Sequence, residues 1–433
     1  MLDIQFIRDN PETIKTKSEQ KGYQVDIQAL LETDSLRREK LAEIEALRAR
    51  RNQLSELTKN QRPDEKQIEE GKQLKEQLAK LESEQRELDE KYFELLKQVP
   101  NMPLDDVPIG ASEAENVISK TVGEPAKFDF EVKNHAEIAE TLGWLDKGRA
   151  AKIAGSRFAY IKGDLVKLQF AIIQFTISKL SDVDFIKHII ADNNLHVSDR
   201  PFQPVLPPLM LKESIYDAMD RLEPRDDRYQ IVGDEKLWLQ GSAEHVLGSM
   251  HADEILEEDE LPIRYLGYAT SFRKEAGTYG KDTEGIFRMH QFDKLEMESI
   301  SLAEHGLEEH LLLIAIQEKL MQLLGIPYHV LTKCTADIGK PNARGVDIEA
   351  WLPSQATYRE THTADYMTDY QARRLKMRVK RHDGRVELVH TNDATAFALS
   401  RTPIAIIENY QTSDGHVTVP EELVPYMDGK RQI

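Results

Sequence analysis

The 433-residue sequence predicts an α+β protein, an antiparallel sheet flanked by helices and preceded by an antiparallel two-helix coiled-coil arm. Three patterns predict it. From about residue 28 to 98, apolar residues recur at helical spacing with a single break. Beyond the arm, short segments alternate apolar and polar residues at the two-residue period of a strand. Those segments lead into one another through turns instead of alternating with helices, which favours antiparallel hairpins over parallel crossovers.

The arm comes first. Leu74, Leu78, Leu81, Gln85, Leu88, Tyr92 and Leu95 step alternately by four and three, the seam of a heptad repeat. Leu41, Ile44, Leu47 and Leu54 supply a less regular stripe on the near side. Between the two stripes stands Asn60-Gln61-Arg62-Pro63-Asp64, where proline lacks an amide donor and restricts the residue before it. Two helices of about 30 residues follow, each on the order of 45 Å long at 1.5 Å per residue. Such a hairpin has almost no core of its own and is expected to project as a lever or probe. Taken alone, the heptads fit a dimerisation coiled coil or a spacer equally well.

Asn101-Met102-Pro103 to Pro108-Ile109-Gly110 reads as a linker marked by proline and glycine. In the body beyond it, Leu165–Lys179 and the region around Leu302–Leu324 read as amphipathic helices. Leu375–Lys380 alternates as a strand, and His382-Asp383-Gly384-Arg385 turns it into Val386–Val389.

Composition excludes several classes. No stretch approaches the roughly 20 consecutive apolar residues of a membrane span. The opening MLDIQFIRDNPE lacks the basic-then-apolar order of a secretory signal, so a cytoplasmic protein is expected. Cys334 is the only cysteine, which rules out an intrachain disulfide and a thiolate-rich zinc site. The 57 basic and 76 acidic residues give a net charge of −19. Residues 33–62 nevertheless carry a net +3 and residues 64–98 a net −4. A polyanion can lie along the first of these, because phosphate contacts depend on local Lys and Arg.

No Walker-type glycine loop, dinucleotide fingerprint or His/Cys metal cluster is present in the sequence. What stands out is Ser271-Phe272-Arg273-Lys274-Glu275-Ala276-Gly277, a polar loop from Thr278 to Gly285, then Phe287 to Glu296. It reads as two short strands joined by a glycine-punctuated loop. On strands, Arg273 and Glu275 would share a face, as would Arg288, Phe292 and Glu296. Guanidinium forks bind phosphate oxygens, an aromatic ring stacks on a base, and a carboxylate accepts from an exocyclic amine. The same residues also fit a charged hairpin with Phe292 in the core. A second group, Arg359-Glu360-Thr361-His362-Thr363, offers a carboxylate and a hydroxyl that could ligate magnesium, or an ordinary strand edge. A third, His390 to Ala396 leading to Arg401, combines small residues with a guanidinium at a helix start, and equally fits a tightly packed junction.

Together these segments resemble a bacterial-type seryl-tRNA synthetase, a class II aminoacyl-tRNA synthetase, nearly from end to end. MLDIQFIRDNP and the hairpin are similar to that family's tRNA-binding arm, Val205-Leu206-Pro207-Pro208 to motif 1, and Phe272 to Glu296 to motif 2. Tyr358-Arg359-Glu360 with Asp369–Arg374 matches a further family signature. Arg401-Thr402 with Glu408-Asn409-Tyr410-Gln411 resembles motif 3.

The resemblance implies the class II sheet, a tRNA-binding domain over residues 1–100 with its arm at about 28–98, and a catalytic domain over 101–433. It implies ATP with Mg²⁺, L-serine, tRNA(Ser) and also tRNA(Sec), a homodimer, and neither membrane nor DNA as partner. By position, Arg273 would hold the α-phosphate and touch serine, Glu275 the adenine amine, and Phe292 would stack on adenine. Arg288 and Arg401 would grip the terminal phosphates, making Arg273, Arg288 and Arg401 the catalytic cations. Glu360 and Thr363 would bind Mg²⁺, while Ser242, Glu244, Glu296 and Thr395 would line the serine pocket. Asp393 departs from the family's usual Asn and adds a carboxylate there. Thr363 stands for a common Ser and Ser242 for a common Thr, each keeping its hydroxyl. Arg344, Val346 and Ser400 replace the frequent Lys, Tyr and Gly. Two other readings are a paralogue that charges a carrier protein and a catalytically silent scaffold. The long arm speaks against the first, and the presence of Arg273 and Arg401 against the second.

Overall fold

The computed structural model describes residues 1–59, 63–275 and 285–433. Residues 60–62 of the expected helix break and 276–284 of the expected polar loop lie outside the described residues. The chain divides into two compact units, Met1–Met102 and Pro103–Ile433.

In the first unit, short helices α1 (Ile4–Asp9) and α2 (Pro11–Gln20) precede the long pair α3 (Ile27–Thr58) and α4 (Glu65–Gln98). The side chain of Asp26 caps α3, and Asp64 with Gln67 forms a reciprocal capping box at the start of α4, directly after Pro63. The α4 seam buries Leu74, Leu78, Gln85 and Tyr92 and half-buries Leu81, Leu88 and Leu95. On α3 the seam runs back from Leu54 through Leu47 and Ile44. Continuing by four and three, it reaches Lys40 and Arg37. Leu41 therefore falls one residue off the seam and is 39% exposed, contrary to its expected place. At that level the helices are joined by charge. Lys40 pairs with Glu84 at 3.1 Å, Arg37 pairs with Asp89, and the Arg37 guanidinium lies 4.8 Å from the Tyr92 ring centroid. At the root Asp34, buried, pairs with Arg8 at 2.6 Å.

The second unit is built on an eight-stranded sheet. Its strands are β1 (Val117–Val122), β2 (Gln203–Val205), β3 (Ile263–Phe272), β4 (Gln291–Ser301), β5 (Tyr328–Thr332), β6 (Arg344–Leu352), β7 (Thr357–Thr368) and β8 (His390–Ala398). The spatial order is β1-β5-β6-β7-β8-β4-β3-β2. Every pairing is antiparallel except that of β2 with β3, which is parallel. Helices α5 (Asp164–Leu180) and α6 (Gly306–Leu323) supply much of the apolar core, matching the two amphipathic segments within a few residues. Within α6, Gln317 is fully buried and its amide donates to the carbonyls of Thr363 on β7 and Thr395 on β8. That single side chain ties the helix to both strands where they form the cleft.

Two local expectations fail. Leu375 ends the helix Tyr370–Leu375 and Lys376 adopts a left-handed cap, so the strand holds only Arg378–Lys380, paired with Val386–Leu388. Strand β3 stops at Phe272, and Arg288 lies in a turned segment before β4. Arg273 and Glu275 therefore do not share a strand face. Glu275 sits at φ +51°, where the chain leaves the sheet direction.

Candidate active site

The central strands β4, β7 and β8 open onto a cleft of about 860 Å³, open solvent included. On β4 the regular alternation sends Phe292, Lys294 and Glu296 into it. The other two strands use bulges. In β7, Ile348 pairs with His362 and Glu349 with Glu360, so Thr361 is an extra residue. A three-residue step would otherwise put Glu360 and Thr363 on opposite faces. The bulge lets both reach the cleft, where the Thr363 hydroxyl donates to Glu360 Oε1 at 3.4 Å. In β8, Thr395 pairs with Glu296 and Phe397 with Leu295, so Ala396 is extra. The cleft-facing set accordingly changes parity, from Asp393 and Thr395 to Ala398 and Ser400.

Cations line one side. Arg273 follows β3 directly; its Nε donates to the Gly241 carbonyl at 2.9 Å and its guanidinium lies 5.4 Å from the Phe292 centroid. Arg288 pairs with Glu275 at 2.9 Å. Arg401, at the start of helix α7 (Thr402–Asn409), pairs with Glu360 at 2.8 Å and lies 5.1 Å from the Phe287 centroid. Burial works against ionising Glu360, but Arg401 and Lys333 outweigh it and bring its pKa down to about 2.

The other end is acidic. Glu244, Glu296 and Asp393 bring carboxylate oxygens within 4.8 Å of one another. Lys294 bonds Glu296, and Ser242 Oγ accepts from Lys294 at 3.2 Å and lies 3.3 Å from Glu296 Oε2. Arg221 stands behind Glu244, Asp365 and Asp393 at 3.1, 3.8 and 3.4 Å. The environment gives these acids different charges. Burial opposes ionisation of Glu244, yet Arg221, His245 and Lys294 hold its pKa well below the ordinary range. Burial, with Glu244 adding and Lys294 opposing, raises Glu296 to about 7. Burial and the surrounding carboxylates push Asp393 and Glu298 well above the carboxylate range. The helical turn Glu244–Leu247 packs beside Gly267 of β3, where a Cβ would meet Leu247 Cδ1 at 2.5 Å and displace that side chain.

Ten of the eleven sequence candidates therefore line one cleft: Arg273, Glu275, Arg288, Phe292, Glu360, Arg401, Glu244, Glu296, Thr363 and Thr395. Ser242 does not; it is fully buried beneath Lys294 and Glu296. Lys294 was missed although strand parity between Phe292 and Glu296 marks it. Phe287, Asp365 and Arg221 were missed as well, and Arg221 reaches the site from a turn with no local pattern to flag it.

Known proteins resemble this chain along its length. Residues 1–103 match the family described as seryl-tRNA synthetase N-terminal domain, and residues 228–410 the family described as tRNA synthetase class II core domain (G, H, P, S and T). A serine–tRNA ligase of Thermodesulfovibrio yellowstonii is 40% identical over 99% of both chains. One from Fervidobacterium nodosum is 38% identical over 99% of this chain and 98% of its own. The crystal structure of seryl-tRNA synthetase from Pyrococcus horikoshii complexed with ATP superposes with a TM-score of 0.87 at 35% identity, covering 100% of this chain and 99% of that one. A cytoplasmic serine–tRNA ligase from Naegleria fowleri in complex with AMP gives a TM-score of 0.84 at 28% identity, covering 100% and 98%.

Proposed function

The chain belongs to the seryl-tRNA synthetase family of class II aminoacyl-tRNA synthetases and catalyses serine–tRNA ligation with ATP; we propose that the cleft residues divide the work as follows. Arg273 holds the α-phosphate and the serine carboxylate, Glu275 accepts from the adenine amine, and Phe292 stacks on the base. Arg288 and Arg401 grip the β- and γ-phosphates. A serine carboxylate oxygen attacks the α-phosphorus in line, the bond to the bridging oxygen breaks, and pyrophosphate leaves. A terminal ribose hydroxyl of tRNA then attacks the acyl carbon of seryl-adenylate and AMP departs. No strong general base is required, because positioning and cations set where phosphate charge develops do most of the work. The observation that carries this reading is the convergence of Arg273, Arg288, Arg401 and Phe292 on one cleft that ends in carboxylates.

Glu360 and Thr363 fit Mg²⁺, since the β7 bulge gives two hard oxygen donors on one face. Bound there with the nucleotide, the ion would neutralise phosphate charge. The serine ammonium is received by Glu244 and Glu296 and its hydroxyl by Thr395. Ser242 acts from beneath, through Glu296 and Lys294. A pocket built to bond a hydroxyl leaves its groups unpaired around alanine, which supports discrimination against it.

Residues 1–100 act as the tRNA-binding domain, reading tRNA(Ser) and tRNA(Sec), and residues 101–433 as the catalytic domain. The homodimer rests on the motif-1 resemblance and on Leu206, Leu209 and Met210, which leave an exposed apolar run there. The cytoplasm is the expected compartment, by resemblance to the cytoplasmic Naegleria ligase. Among the described residues no helix is long and apolar enough to cross a membrane.

The deciding experiment is ATP–pyrophosphate exchange across the amino acids, followed by charging of bulk tRNA. Serine alone is expected to support strong exchange, and only serine acceptors to be charged. Exchange with no amino acid, or with another in preference to serine, would end this reading.

A pH dependence follows from Glu296. Its carboxyl, raised to about 7, is neutral below that pH and a poor partner for an ammonium group. Serine kcat/KM, which reports the free enzyme, is expected to climb between pH 6 and 8 and then level. In Glu296→Gln the rate should be lower and this limb flat. A limb that persists in that variant would assign the titration elsewhere.

A further inference from the structure

Arg221 is absent from the roles above and does not line the cleft. It stands in the layer behind, where it reaches three of the cleft's carboxylates at once. Its side chain is 14% exposed, with Nε 3.1 Å from Glu244 and Nη2 3.4 Å from Asp393 and 3.8 Å from Asp365. The same Nη2 donates to Asn342 Oδ1 at 3.2 Å. Gly339 makes room for the fork, since a Cβ there would lie 3.2 Å from Nη1. The turn that presents Arg221 is itself pinned. Asp220, at φ +57°, accepts from the Tyr370 hydroxyl at 3.0 Å and pairs with Lys340 at 3.2 Å and Arg374 at 3.1 Å. An arginine held this firmly behind three acids is an arrangement for fixing their positions and their net charge.

We propose that Arg221 is a positioning residue that sets the charge of the amino-acid pocket, aligning Glu244 for the ammonium group while the Arg221–Asp365–Asp393 cluster keeps the pocket selective for a neutral side chain. The inference rests on the serine-ligase reading and deepens it. Lys294 is committed to Glu296 and Ser242. Arg221 is the cation that reaches Glu244 and Asp393 together, and it shares Asp365 with Lys333. Without it the pocket's net charge falls by one close to the ligand, and Glu244 loses the guanidinium 3.1 Å from its Oε1. A serine isostere with an amine in place of the hydroxyl, L-2,3-diaminopropionate, then becomes the better-matched ligand. Asp393 is the compensating partner: its carboxyl, 3.4 Å from Arg221, is held protonated in the empty pocket and is the group that a second ligand ammonium would ionise.

The test is amino-acid-dependent ATP–pyrophosphate exchange with serine and with L-2,3-diaminopropionate, in the full-length enzyme. Arg221→Gln is expected to raise the serine KM about tenfold with the ATP KM unchanged, and to shift the serine-to-diaminopropionate preference about tenfold toward the diamine. Arg221→Lys keeps the charge without the fork. It should retain the preference yet still weaken serine. Adding Asp393→Asn to Arg221→Gln should restore most of the preference, a rescue that a purely structural role would not produce. Should Arg221→Gln fail to fold, Asp393→Asn alone decides, since it must shift preference away from the diamine. Unchanged selectivity in both single variants, or a double variant no better than Arg221→Gln, would overturn the proposal. Absence of serine exchange in the unaltered enzyme would instead overturn the functional reading, and that is seen before any variant is compared.

Discussion

Replacing Arg273 by alanine is expected to lower serine-dependent ATP–pyrophosphate exchange by about 10²–10³-fold, the usual cost of removing a group aimed at developing transition-state charge. The geometry makes Arg273 the most exposed to such a loss. Its Nε is committed to the Gly241 carbonyl, and Phe292 flanks the guanidinium, so the fork is held rigid before any ligand arrives. Arg288 and Arg401 have carboxylate partners on the protein, Glu275 and Glu360, with which phosphates must compete. Arg273 has no ion-pair partner of that kind among the described residues. Arg273→Lys should recover only part of the activity, because an ammonium keeps the charge but not the bidentate geometry. Both variants should unfold within a few degrees of the parent, since the side chain is only partly buried and anchors no core packing. Exchange within about threefold of the parent in Arg273→Ala would remove this arginine from the chemistry.

The arm was legible because a heptad is a local signal. Leu74 to Leu95 fix the register of α4 within the helix itself, and Pro63 marks the turn. On α3 the same rule misled at Leu41, because the seam there passes through Lys40 and Arg37 and is closed by ion pairs. No count of apolar residues anticipates that. In the catalytic unit the composition of the site was visible but its construction was not. Period-two alternation correctly groups Phe292 with Glu296 and also points to Lys294. It fails for Glu360 with Thr363, and for Asp393 with Ser400, since both sets owe their common face to one inserted residue, Thr361 or Ala396. A bulge is a property of two paired strands, so no reading of one strand reveals it. Arg221 was illegible for a related reason. Its meaning comes from Glu244, Asp365 and Asp393, which reach it from well-separated parts of the chain.

Shortening the arm is expected to separate the two half-reactions. The cut is best made inside the hairpin, removing residues 41–83 and joining Lys40 to Glu84 through a short glycine-containing turn. Those two side chains already pair across the helices at 3.1 Å, so the new turn closes a gap of one helix spacing, about 8–10 Å. Removing all of residues 33–98 would be a poorer test. It would take Asp34 from Arg8, and Tyr92 and Leu96 from the core at the root, where loss of buried groups costs several kcal/mol. Every residue lining the cleft lies between Glu244 and Arg401, so nothing the adenylation step touches is altered. Serine-dependent exchange should stay within about twofold of the parent. Charging of tRNA(Ser) should fall by at least about 10³-fold, because Arg48, Arg50, Arg51, Lys59 and Arg62, removed with it, are most of the basic groups that residues 33–62 offer a phosphate backbone. The loss should appear in the KM for tRNA before it appears in kcat, as expected when binding rather than chemistry is removed. Parallel loss of both activities would mean that the hairpin supports the catalytic unit and is no separate tRNA reader. Retention of both would leave the arm with no part in recognising the acceptor.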